Sequence, residues 1–99
     1  MTFSYTKDLR DYMEKKCRKN IIVEVITCNA DIDVTELHVF LADDKTSNFY
    51  KSQKKYKGIE TEVGEVLLPP YRLEYEEEIA FDLKKVLCFK MVKYEGIKL

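Results

Sequence analysis

Two β-branched runs, Asn20 to Cys28 and Val34 to Ala42, constrain this chain more than any other feature. Both read as strands, the first rich in Ile and Val. Between them, Asn29-Ala30-Asp31-Ile32-Asp33 carries the Asn and Asp residues that favour turns, so the runs are expected to form a hairpin. A symmetric loop sets Val23 opposite Val39, Val25 opposite Leu37 and Ile21 opposite Leu41 on one apolar face. The other face then pairs Ile22 with Phe40, Glu24 with His38 and Ile26 with Glu36. A slip of one residue would break this sorting, so the hydrophobic pattern selects the register. One face belongs on the core and the other is half-covered.

Around the hairpin, Lys7 to Lys19 has the spacing of an amphipathic helix, with Tyr5, Leu9, Tyr12, Met13 and Cys17 in one stripe. Thr6 or Ser4 can cap its start, and Asn20 can close it. Thr46 to Lys57 reads as a short helix capped by Asp44 or Thr46 and stopped by Gly58, with Phe49, Gln53 and Tyr56 on one face. Ile59 to Val63 alternates with glutamates as a strand, extended past Gly64 through Leu67. Pro69-Pro70 ends any ladder there, because neither residue has an amide donor.

Tyr71 to Lys85 admits two readings. As a helix, Ile79, Leu83, Val86 and Leu87 make a stripe, with glutamates at the favourable end of the dipole and Lys84 and Lys85 at the other. As strands, Tyr71, Leu73 and Tyr75 alternate, then Ile79, Phe81 and Leu83. The charge layout favours the helix. Val86 to Tyr94 alternates as a final strand. The expected fold is α+β: one domain over 1–99, with an N-terminal amphipathic helix and one or two further helices on a mainly antiparallel sheet.

Composition excludes several functions. Three cysteines, an odd and scattered set, do not make a secreted disulfide framework; each lies among apolar neighbours and is expected buried and reduced. The first residues carry no apolar run and nothing is long enough to span a bilayer, so the expectation is a cytoplasmic protein with no membrane partner. The phosphate-cradling glycine loops are absent. Cys17, Cys28, His38 and Cys88 lack the close pairing of a zinc site, so neither metal nor cofactor is expected. His38, the sole histidine, faces Glu24, but no nucleophile neighbours the pair and an ordinary cross-strand contact accounts for it. An enzyme is therefore not expected.

Charge supplies the functional reading. A net charge of -1 conceals a basic block from Lys45 to Lys57 and an acidic one from Glu60 to Glu78, the latter interrupted only by Arg72. Opposed patches steer association, so the chain reads as a non-catalytic protein-binding module, a small regulator, inhibitor or adaptor. Its partner would be another protein or a second copy in a homodimer. The candidate binding residues are Tyr50, Lys51, Lys54, Lys55, Tyr56 and Lys57 on the basic side, and Glu74, Glu76, Glu77 and Glu78 on the acidic side. The plain alternatives are a solvated lysine-rich face and helix-dipole complementation. The rival function is single-stranded RNA or DNA binding, because segment 50–57 interleaves tyrosines with lysines as stacking platforms do. An isoelectric point near 5.9 argues against it.

Overall fold

The computed structural model describes residues 1–29 and 33–98. The central hairpin forms in the register that apolar sorting selects: β2 (Asn20–Asn29) pairs antiparallel with β3 (Asp33–Ala42), with Val23 opposite Val39 and Glu24 opposite His38. Most of the expected turn, and the burial expected of Cys28, lie outside the described residues.

A strand precedes the first helix. β1 (Thr2–Tyr5) runs parallel to a later strand and buries Tyr5. α1 (Lys7–Lys16) starts at Thr6, whose hydroxyl accepts from the Leu9 amide at 3.4 Å. It ends earlier than the sequence suggests. Cys17, not Asn20, caps it in a left-handed conformation (φ 55°), and its amide bonds back to the Glu14 carbonyl. Leu9 and Met13 are buried.

α2 (Asp44–Gln53) begins two residues before the expected start, because Asp43 takes the cap and accepts from the Thr46 amide at 2.8 Å. It also ends four residues early. Lys55 turns the backbone left-handed (φ 62°), and the Tyr56 amide returns to the Tyr50 carbonyl. Phe49 therefore points to solvent while Tyr56 is buried, so the two do not share a helical face.

The strand expected from Ile59 to Leu67 is instead a hairpin of β4 (Lys57–Glu60) and β5 (Glu65–Leu68). Alternation continues through the turn, which hides it in the sequence. Thr61 makes the reversal: its hydroxyl donates to the Gly64 carbonyl and accepts from the Val63 and Gly64 amides. Gly64 then passes so close to the chain that a Cβ would stand 2.0 Å from the Lys19 carbonyl oxygen. β5 stops at Leu68, immediately before Pro69-Pro70.

The helix expected within Tyr71 to Lys85 does not form. β6 (Glu74–Val86) is extended, with Ile79 and Phe81 buried at strand spacing. Burying Ile79 and Phe81 on one face of an extended strand outweighs a charge order that only suits a helix dipole at its ends, where such pairings contribute about 0.3–1 kcal/mol. The expected strand from Val86 is likewise divided, because β6 turns at Leu87-Cys88 into β7 (Phe89–Lys98). Cys17 and Cys88 are exposed, contrary to expectation, because one sits on a helix cap and the other in a tight turn.

Among the described residues, two helices and two mixed sheets make an α+β fold in place of a single sheet. The strand orders are β1-β6-β7 and β3-β2-β5-β4. Leu9, Ile21, Val23, Val66, Ile79 and Phe81 lead the main core, which draws on both sheets and α1. A smaller cluster, Ile22, Ala42, Tyr56 and Leu67, lies on the opposite side of the second sheet, with Tyr50 of α2 packed against it.

Candidate functional site

The acidic candidates sit on the first half of β6, and a bulge decides how they are presented. Between Tyr75 and Ala80 β6 advances five residues while β7 advances two, from Ile97 to Glu95. A regular strand would send alternate glutamates toward the core. The bulge breaks that alternation, so Glu76, Glu77 and Glu78 are all exposed, and Glu74 with them. Among the described residues the only ion pair to this ridge is the chain's amino group on Glu77 at 3.9 Å, while Lys98 stands opposite Glu74 in register. A surface pair of that kind contributes little.

Two further members of the acidic block are paired within the fold, while Glu60 is exposed with no ion pair among the described residues. Glu62 pairs with Arg10, and Glu65 receives both bonds of the Lys51 ammonium at 2.9 and 3.1 Å. Lys51 is thereby removed from the basic patch, a link that sequence proximity cannot reveal.

The basic segment separates into an inward and an outward set. Tyr50 is half-buried, donates its hydroxyl to the Glu24 carboxylate and packs edge-on against Phe40 and Tyr56. Burial, then the hydrogen bond and charge of Glu24, push its phenol well above the usual range. Tyr56 is buried, which with the charge of Glu24 raises it to about 12. Lys54 lays its ammonium 4.5 Å from the Tyr50 ring centroid. Lys54, Lys55 and Lys57 remain exposed. Of the ten site residues, Glu74, Glu76, Glu77, Glu78, Lys54, Lys55 and Lys57 are exposed, while Tyr50, Lys51 and Tyr56 turn to partners within the fold.

Glu24 and His38 are partners in register, yet their side chains serve others: Glu24 holds Tyr50, and His38 lies 3.7 Å from Glu36. Among the described residues no three His, Cys, Asp or Glu side chains gather as a metal centre.

Two surfaces escaped the sequence reading. The β6–β7 turn exposes Leu87 (97%), Phe89 (71%) and Met91 (57%). Their signal was present, since Lys84, Lys85, Lys90 and Lys93 surround them without an Asp or Glu between Leu83 and Tyr94. The second is a cleft of about 490 Å³ where β3, β7 and the end of α1 meet, with His38 on its rim. It depends on two sheet edges that lie far apart in sequence, so periodicity could not locate it.

No helix is long and apolar enough to cross a membrane among the described residues. No family model matches the chain, and neither a curated protein nor a solved structure matches it.

Proposed function

We propose that this chain is a non-catalytic protein-binding module, a small regulator, inhibitor or adaptor, whose acidic ridge docks a basic surface on its partner. The observation that carries the reading is the bulge that leaves Glu74, Glu76, Glu77 and Glu78 exposed together. Like charges this close repel, and a folded chain gains nothing from crowding them unless an opposite charge arrives. Lys54, Lys55 and Lys57 form the opposing patch, while Lys51, Tyr50 and Tyr56 act as its internal support. α1 is read as an amphipathic helix, with Leu9 and Met13 inward and Asp8, Lys15 and Lys16 in solvent.

Single-stranded nucleic acid is the weaker alternative. Stacking on bases needs open aromatic faces, whereas Tyr56 is buried and Tyr50 carries a lysine over its ring.

The test is affinity purification from the native cell, with and without nuclease, using the wild type and a triple charge reversal, Glu76→Lys, Glu77→Lys and Glu78→Lys. A protein recovered despite nuclease and lost only with the reversed ridge supports the proposal. Recovery that survives the reversal ends it. Recovery abolished by nuclease transfers the function to nucleic acid.

A further inference from the structure

The cleft between the two sheets combines an aliphatic floor with a cationic rim. Its floor is Leu37, Val39 and Leu41 of β3 with Val92 of β7. These side chains pack against the main core yet stay only half-buried. The reason is topological: β3 and β7 are outer strands of different sheets, so no strand closes the gap between them.

The rim is cationic. Lys16, Arg18 and Lys90 line it, and no Asp or Glu does. Lys16 and Lys90 come from different elements, yet their ammonium groups lie 5.7 and 5.2 Å from the centroid of the same Tyr12 ring. A ring face holds an exposed cation only weakly, which does not neutralise two. None of the three cations has a carboxylate oxygen within 4.0 Å among the described residues. An anion placed among them would supply the missing charge, and apolar surface beside it would cover the floor.

We propose that this cleft binds a single-chain anionic amphiphile, a molecule with a carboxylate or phosphate head and an aliphatic tail. The head sits among Lys16, Arg18 and Lys90, and the tail lies along Leu37, Val39, Leu41 and Val92. The cleft volume of about 490 Å³ falls within the range of roughly 300–1,000 Å³ that small-ligand sites occupy. A planar anion such as a nucleotide fits less well: the floor is aliphatic, and two ammonium groups already occupy Tyr12. An inorganic anion would use the rim and leave the floor wet. This site is independent of the acidic ridge.

The experiment titrates the full chain with decanoate and with decyl phosphate, each kept below its micelle-forming concentration, by calorimetry and backbone-amide NMR. Decanol, inorganic phosphate and adenosine monophosphate are the comparison ligands. Both decyl anions should bind one to one, at least tenfold more tightly than decanol or phosphate, with resonance shifts over residues 37–41 and 90–94. Two exposed charges are then reversed, Lys16→Glu with Lys90→Glu. At about 1 kcal/mol for each charge contact in water, decanoate should weaken by about tenfold or more, while decanol binding stays unchanged. Val92→Trp, which fills the floor, should abolish decanoate binding, and the charge variant remains decisive if that protein fails to fold. Equal affinity for decanol, tighter binding of the nucleotide, or shifts confined to other residues would each overturn the assignment.

Discussion

A Cβ on Gly96 would stand 2.6 Å from the carbonyl oxygen of Glu78, across the bulge that turns the acidic ridge outward. Gly96 also has a φ of 94°, in the region that L side chains rarely adopt. Both constraints fall on the same residue, opposite the glutamates it helps to present. Gly96→Ala should therefore destabilise the fold by about 1–3 kcal/mol, the cost of a strained backbone position. The measurement is the urea midpoint, with amide NMR shifts expected to concentrate at 76–80 and 94–97. An alanine variant as stable as the wild type would mean that the bulge does not depend on this glycine.

How much of this was legible in the sequence depends on where each determinant lies. The β2–β3 register was readable because each strand alternates and only one pairing separates the apolar row from the mixed one. β6 was misread because four glutamates before two lysines imitate a helix dipole, and because consecutive glutamates break the alternation that Ile79 and Phe81 keep. The Leu87-Cys88 turn carries neither Gly, Asn nor Asp, so nothing marks it. The acidic ridge was visible as a run of residues, though not the bulge that exposes it. The inward turn of Tyr50 was not visible, since its hydrogen-bond partner Glu24 lies on another element.

Asn20 is the polar junction of the second sheet. It is fully buried, donates to Asp44 at 3.0 Å and Ser47 at 2.9 Å, and accepts from the Glu65 amide at 3.0 Å. One side chain therefore ties the start of β2 to the first turn of α2 and to β5. Asn20→Ala should cost about 1–3 kcal/mol, because a buried group deprived of its partner bears its own desolvation. Ser47→Ala should cost less, since Asn20 keeps its bonds to Asp44 and Glu65. Equilibrium urea unfolding of both variants checks the order. A loss below about 0.5 kcal/mol for Asn20→Ala, the range of an ordinary surface change, would show that the junction is dispensable.

The two inward tyrosines make stability sensitive to alkali. An unfolded tyrosine ionises near pH 10, whereas Tyr56 in the fold is raised to about 12 by burial and Glu24, and Tyr50 is raised by the same causes. Above pH 10 the unfolded chain loses protons that the folded chain still holds, so stability falls as pH rises. The contribution is complete below pH 10 and disappears as pH passes through about 12, the folded value of Tyr56. Urea midpoints measured from pH 8 to 12 should therefore be level at first and then decline. Tyr50→Phe with Tyr56→Phe should flatten the decline, because phenylalanine has no proton to lose. Tyrosinate absorbance of the folded protein supplies a second readout: part of the tyrosine signal should appear only near unfolding in the wild type and shrink in the double variant, leaving the share of Tyr5 and Tyr75, which burial also raises. An unchanged slope would place both hydroxyls in solvent, and the lysine-rich segment would then regain the open aromatic faces that base stacking needs.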